Sequence, residues 1–332
     1  MVLAKIQRRA RRVQRRANAA LKWLFYRTGN VRPPTYPDRM YLESTNVCNL
    51  NCIMCPTGLH LAKRAKGYLD YELFRAIVDE MAPHVRATTL HIWGEPLLHP
   101  RMTDMIAYCR QKGLHSEIST NATLLDERLS REIVQAGLGT IYLCMDGVKK
   151  ETYEQVRRRA DFEETKANIL RFLQIKNAAG KGPEVKLQLI EIGPTAAEVA
   201  EFTKLWSVPG VDRVNIKAFD SWGGQIQEVS ELRPGEANLP QNRFPCPNLW
   251  YHVHIYWDGT LVRCDRDYDA IGPLGNVKDG VMRAWRGEAM AELRRQHVCN
   301  ELAEVAPCNS CTEWSWWKPT LFTSQGNLPT KH

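Results

Sequence analysis

No stretch of the 332-residue chain approaches the eighteen or so consecutive apolar residues that a membrane-spanning helix requires. Its longest early apolar patch, residues 21–26, is short and broken by Lys22, so an integral, helix-spanning membrane protein is excluded. The composition of disorder, collagen or a coiled coil is missing too: 44% hydrophobic and 25% charged residues describe a globular chain with a sizeable core. Nothing near the N-terminus reads as a secretory leader, and the ten cysteines are spread through a large chain rather than packed into a small secreted domain. Reduced thiols, and with them metal or redox chemistry, become the first expectation.

Acidic residues are absent from residues 1–37, which hold ten Lys or Arg; with +8 for the whole chain, the other 295 residues sum to −2. The segment is basic and the body is not. Within it Ile6, Ala10, Val13, Ala17, Leu21 and Leu24 recur at steps of three and four, an apolar stripe along one face of a helix. Such a basic amphipathic helix can lie on an anionic membrane, receive a polyanion, or pack on its own domain. The segment also lacks serine, which argues against a transit peptide.

From Arg39 onward, β-rich runs alternate with helical patterns. Residues 40–43, 88–93, 116–120, 140–145, 185–190 and 213–218 read as strands, separated by amphipathic segments such as Tyr71–Met81. Parallel neighbours need crossovers, and helices are the usual ones. The fold class is therefore α/β with a parallel sheet; periodicity leaves open whether that sheet is doubly wound or a partial barrel. After Ala218, Trp222-Gly223-Gly224, Arg233-Pro234-Gly235 and Leu239-Pro240 punctuate a linker. Beyond it, residues 252–257 and 260–264 flank Asp258-Gly259, a hairpin signal, and a helix is expected over 281–297.

Cys48, Cys52 and Cys55 follow the first expected strand on one loop. Three thiolates without a fourth nearby can hold one face of a metal cluster and leave a position open for a ligand. Zinc and chance spacing are the alternatives. Here the sequence resembles the radical S-adenosylmethionine (SAM) superfamily, whose C-x3-C-x2-C loop follows the first strand of a partial (β/α)6 TIM-type barrel. Trp93-Gly94-Glu95-Pro96 is similar to the family's GGEP element, which binds the methionine amino group, with Trp93 in place of the first glycine. Ser119-Thr120-Asn121 resembles the segment near the ribose and methionine carboxylate. Cys144-Met145-Asp146-Gly147 resembles Ser-x-Asp-Gly, with a cysteine where serine is common. Arg157 stands where a carboxylate-binding arginine is expected, and Met54 where a residue packs near adenine. The resemblance implies a SAM-binding [4Fe–4S] cluster on Cys48, Cys52 and Cys55. It further implies reductive cleavage of SAM to a 5′-deoxyadenosyl radical and hydrogen abstraction from a substrate shielded from water.

Cys246, Cys264, Cys299, Cys308 and Cys311 lie in the last third of the chain. Four of them suffice for a zinc or an iron–sulfur cube, and spacing alone leaves both open. Gly275-Asn276-Val277, Trp285, Gly287-Glu288 and Leu293-Arg294 are similar to the "GN…W…LR" run of SPASM and shorter twitch domains. That resemblance implies one auxiliary [4Fe–4S] cluster on Cys246, Cys264, Cys308 and Cys311. The organisation expected is a basic N-terminal segment (1–37), a barrel (38–225), a linker (226–245) and a small α+β auxiliary-cluster domain (246–332). Cys109 reads as a core residue, whereas Cys144 and Cys299 are candidate hydrogen-atom donors.

One-auxiliary-cluster members that the chain resembles include carbohydrate- and aminoglycoside-modifying enzymes, so epimerisation or dehydrogenation of a carbinol carbon of a sugar or glycoside is the expected reaction. A peptide-modifying maturase and a non-catalytic metal-binding scaffold are the alternatives. The expected partners are an electron donor such as flavodoxin or ferredoxin and a small-molecule or glycan substrate. The acidic body argues against nucleic acid. The expected location is the cytoplasm, with peripheral membrane or polyanion contact through the N-terminal segment left open.

Overall fold

The structure, a computed structural model, describes residues 2–235 and 239–321, with side chains from residue 13 onward. Ile6 and Ala10 of the expected stripe, residues 236–238 of the linker and residues 322–332 of the C-terminal domain lie outside the residues so described.

Nine strands form one sheet in the order β6-β5-β4-β3-β2-β1-β7-β8-β9. They are β1 (Arg39–Leu42), β2 (Ala87–Thr89), β3 (His115–Thr120), β4 (Thr140–Cys144), β5 (Glu184–Ile190), β6 (Arg213–Lys217), β7 (His252–Ile255), β8 (Thr260–Val262) and β9 (Gly275–Asn276). Strands β1 to β7 pair in parallel and only the last two are antiparallel. The sheet stays open, with β6 and β9 at its edges. All six expected barrel strands are present. The second is shorter than its apolar run, because the chain leaves the sheet after Thr89 and turns through Gly94 at φ +82°.

The helices are α1 (Val2–Arg27), α2 (Tyr71–Met81), α3 (Met102–Gln111), α4 (Glu127–Ala136), α5 (Lys150–Val156), α6 (Phe162–Ala179), α7 (Val199–Leu205), α8 (Gln227–Ser230), α9 (Asn248–Tyr251), α10 (Val281–Trp285) and α11 (Glu288–Cys299). Asp70, Asp126 and Asp161 start three of the crossover helices by accepting the third residue's N–H at 2.9, 2.7 and 2.8 Å. Gly137 and Gly180 end two of them in the left-handed region. The single helix expected over 281–297 is instead two, broken at Arg286-Gly287, where Gly287 is extended and begins the second.

Alternation along the strands divides the sheet into two unlike faces. Met40, Leu42, Ile118, Ile141, Leu143, Val185, Leu187, Val253 and Ile255 point to the helices and join one core with Phe74, Phe172 and Trp285. Their neighbours face the concave side and are polar: Arg39 makes two bonds to Glu117 at 2.7 and 2.8 Å, and Lys186 reaches the Tyr142 hydroxyl at 3.4 Å. Because β7 pairs with β1 and its apolar residues enter the same core, the auxiliary segment shares the barrel's sheet.

The N-terminal helix does pack, though not by its apolar stripe. Asn18 exchanges two hydrogen bonds with the Tyr36 backbone at 2.9 and 3.1 Å. Lys22, fully buried, pairs with Asp38, and the Tyr26 hydroxyl donates to the Pro245 carbonyl at 2.8 Å. Val13, Leu21 and Leu24 face outward, 61%, 47% and 46% exposed.

Candidate active site

The loop after β1 carries Cys48, Cys52 and Cys55 into a small cluster with Leu50, Met54 and Val156, closed by Ile192, Phe219 and Trp222 from the ends of β5 and β6. Backbone bonds anchor it, since Asn51 N and Ile53 N donate to the Arg158 and Val156 carbonyls at 3.0 and 3.1 Å. Trp222 Nε1 donates to the Met54 carbonyl at 2.6 Å. Gly94 brings its own loop against this one: a Cβ there would lie 2.6 Å from both the Thr45 and Val47 carbonyl oxygens. Glycine alone permits that approach at positive φ.

The expected SAM-binding residues gather around the same loop. Glu95 is buried, its carboxylate accepting from Thr120 Oγ1 at 2.7 Å, Asn121 N at 2.8 Å and Leu97 N at 3.0 Å. Asn121 Nδ2 donates to Asn49 Oδ1 on the cysteine loop at 3.0 Å. Arg157 pairs with buried Asp146 at 2.6 Å and points its Nη1 at Cys52 Sγ, 3.7 Å away. Asp146 also accepts from Ile190 N at 2.6 Å, which ties the end of β4 to β5. Trp93 turns toward the auxiliary segment, its Nε1 donating to the Asp265 carbonyl at 3.1 Å, and it meets Trp222 edge-on at 4.9 Å. Pro96 opens a short helical turn capped by Glu95.

Four thiols meet at the second place. Cys246, Cys264, Cys308 and Cys311 line one cavity with Arg243, Arg263, Arg266 and His297. Among the described residues no three His, Cys, Asp or Glu side chains converge on a single-ion point. Thiols spread around a cavity suit a cube, which puts each ligand on its own iron, better than one tetrahedral ion at about 2.3 Å.

Burial pushes Cys48 and Cys308 up to about 12 and Cys52 up to about 11, with the Arg157 guanidinium opposing the rise at Cys52. Cys246, Cys264 and Cys311 are raised by burial as well. The rise reflects burial, since Cys109 in the core is raised to about 12 as well; a bound cluster would displace these protons.

Cys144 ends β4 on the concave face. Its sulfur lies 3.1 Å from Ser119 Oγ and 3.4 Å from Gln188 Nε2, and Gln188 in turn accepts from Asn215 Nδ2 at 2.8 Å. Cys299 is exposed at the end of α11, and its neighbour Val298 packs toward Gly29 of the N-terminal segment. Cys109 is buried in the core on α3.

Residues without any spacing signal complete the site. Buried Arg266 bonds Asp220 at 2.7 Å and Asp265 at 3.1 Å, with Glu313 at 3.8 Å. Glu313 accepts from the Ser221 hydroxyl at 2.7 Å and N–H at 3.1 Å, and Ser310 Oγ donates to the Gly223 carbonyl at 2.6 Å. The Trp222-Gly223-Gly224 turn, expected within a linker, is thus a docking point for the last cysteine loop. Burial raises Asp220 to about 7 against the pull of Arg266, while Arg266 and Ser221 hold Glu313 down near 2 despite its burial.

These placements agree with comparison to known proteins. The family model of the Radical SAM superfamily matches residues 42–178, and that of the SPASM iron–sulfur cluster-binding domain matches residues 246–312. The chain is 38% identical over 257 residues to the tungsten-containing aldehyde ferredoxin oxidoreductase cofactor-modifying protein of Pyrococcus furiosus, covering 68% of this chain and 70% of that one. The crystal structure of BtrN in complex with AdoMet and 2-DOIA superposes with a TM-score of 0.53 at 14% identity, covering 83% of this chain and 93% of BtrN. Streptococcus suis SuiB bound to precursor peptide SuiA gives 0.64 at 12% identity, covering 84% and 70%. A SAM-type cysteine loop on a parallel sheet, an auxiliary cysteine cavity and an extended relative at this identity place the chain in the radical SAM superfamily, as a member with a SPASM-type iron–sulfur domain.

Proposed function

We propose that this enzyme abstracts hydrogen from a carbinol carbon of a sugar, glycoside or similarly oxygenated small molecule, and either inverts or oxidises that carbon. A reduced [4Fe–4S] cluster on Cys48, Cys52 and Cys55, with SAM bound to it, supplies the radical chemistry. The chain's own part is to hold the substrate and keep water out.

The observation carrying the reading is the concave face. Tyr41, Glu117, Ser119, Tyr142, Cys144, Lys186, Gln188, Asn215 and Lys217 present hydroxyl, amide, carboxylate and ammonium groups, alternating with the apolar residues beneath. These groups pair with one another across the face, and a surface of that chemistry suits a ligand whose hydroxyls can exchange into the same hydrogen bonds. Lys217 reaches this end of the barrel with its ammonium 5.7 Å from the Trp222 ring centre. Met54, Gly94, Glu95, Asn121, Asp146 and Arg157 are assigned to SAM, with Trp93, Pro96 and Ser119 shaping its pocket. Cys144 is assigned as hydrogen donor for inversion; Cys299 is the weaker candidate, being exposed on α11. The electron enters from a flavodoxin or ferredoxin.

Kinship with a cofactor-modifying protein favours a non-peptide substrate, whereas SuiB, solved with a precursor peptide, stands for the competing peptide class. Anaerobic protein reduced with dithionite and given labelled SAM should form 5′-deoxyadenosine faster when glycosides are present, with deuterium carried over from a C–D labelled carbinol. Stimulation by peptides alone would transfer the enzyme to the other class.

A further inference from the structure

Among the described residues the apolar stripe of α1, from Val13 onward, has no partner. Val13, Leu21 and Leu24 are 61%, 47% and 46% exposed, and Ala17 and Ala20 beside them are exposed too. Residues 15, 18, 22 and 26, which hold the helix to the body through Ala82, Tyr36, Asp38 and Pro245, lie on the opposite side. The docked face enters the core only at Tyr26 and otherwise holds on through polar side chains, while the free face is apolar, the reverse of a helix whose only task is to complete a core. A buried lysine paired with Asp38 therefore fixes which way the stripe points.

Charge selects what can cover it. Residues 1–37 carry ten basic residues and no acidic one, while the rest of the chain is slightly acidic. Exposed Arg16 and Arg27 border the stripe, and the helix continues toward the N-terminus through Arg8, Arg9, Arg11 and Arg12. A second copy pairing through the same helix would bring like charge against like charge. The segment also precedes both family matches, which begin at residues 42 and 246, so neither domain's chemistry accounts for it. Among the described residues no helix is long and apolar enough to cross a bilayer.

We infer that α1 lies in the plane of an anionic membrane surface, with Val13, Ala17, Leu21 and Leu24 in the headgroup region and the arginines on acidic lipids. The body then sits at the surface, held by the Lys22–Asp38 pair.

Flotation of the full-length reconstituted enzyme with vesicles tests this. Binding to phosphatidylcholine containing one third phosphatidylglycerol, and little to phosphatidylcholine alone, is expected. Raising the salt should weaken it, and Leu21→Ser with Leu24→Ser should weaken it by at least about tenfold, from the loss of buried apolar area. Arg8, Arg9, Arg11 and Arg12 changed together to Gln should cost about fivefold for each charge that reaches the lipid. Both variants should still cleave SAM at the parent rate, because the substitutions lie outside the barrel. The inference is overturned by equal partitioning of the leucine variant, by absence of binding to the acidic vesicles, or by a dimer in sedimentation that the leucine variant abolishes. Tighter binding to duplex DNA than to the vesicles, unaffected by the leucine changes, overturns it as well.

Discussion

The two sulfur sets of this protein are assembled in opposite ways. Cys48, Cys52 and Cys55 lie on one eight-residue loop, so their proximity is largely a local matter of chain length. Cys246, Cys264, Cys308 and Cys311 come from separate stretches and share a cavity only because the hairpin and the last loop are docked on the barrel. A local set survives errors of packing; a non-local one inherits every weakness of the contacts that assemble it. The first should depend mainly on its own thiols, the second also on the charged contacts that dock its separate stretches on one another.

The largest effect separates the sets by their chemistry. Replacing Cys48, Cys52 and Cys55 together by Ala should abolish 5′-deoxyadenosine formation and remove one cube's four irons and four sulfides, while the auxiliary cluster's absorbance persists. Retained SAM cleavage would place the reactive cluster at the other set.

Next comes the scaffold of the auxiliary site. Arg266→Met leaves Asp220, Asp265 and Glu313 around an apolar side chain, and breaking a buried pair from one side costs about 3–5 kcal/mol. Thermal melting of the reconstituted protein should fall accordingly, with iron lost from the auxiliary site before the SAM-binding one. Simultaneous loss of both clusters would show that the shared sheet couples them more tightly than the comparison assumes.

What could be read beforehand follows the same local and non-local division. Strands β1 and β3 to β6 show in the sequence because short apolar runs alternate with helical ones, and the first cysteine loop shows because its spacing is contiguous. Arg266, Asp220 and Glu313 leave no trace, since partners more than forty residues apart carry no periodicity. Gly223 and Gly224 read as punctuation of a linker, yet a Cβ on them would meet Pro307 at 3.0 Å and Ser310 at 3.1 Å. Their smallness serves close packing. The stripe of α1 was visible, but not its direction, because the docking face uses Asn18, Lys22 and Tyr26, which no hydrophobic period marks.

A smaller effect probes the seam where β7 joins β1. His254 stacks on Tyr41 at 4.6 Å, and burial lowers it to about 4. Below pH 6.5 the unfolded chain takes up a proton that the folded one refuses, so stability is present above that pH and lost as pH falls toward 4. Between pH 7 and 5 this one group accounts for up to about 2 kcal/mol. His254→Gln should flatten the fall of the urea midpoint over that range; an unchanged slope would show that His254 is protonated in the folded protein.

The smallest expected change in stability carries the sharpest chemical information. Cys144→Ser keeps the size and hydrogen-bonding of a side chain already placed between Ser119 and Gln188, so folding and both clusters should be nearly unaffected. If Cys144 returns the hydrogen atom, the parent enzyme working in D2O delivers one deuterium to the inverted carbon, because a thiol exchanges with solvent; the thiyl radical left behind then takes one electron from the flavodoxin or ferredoxin and one solvent proton. The serine variant, whose O–H bond is too strong to donate, should still cleave SAM while building up dehydrogenated or shunt product without that label. If the reaction is instead an oxidation, the hydroxyl loses a proton, and a cluster held by Cys246, Cys264, Cys308 and Cys311 would supply the electron acceptor for the substrate radical. Product from the parent and the variant is then the same ketone, unlabelled at that carbon. The two outcomes divide the reaction between the sulfur at the end of β4 and the four-thiol cavity of the auxiliary segment.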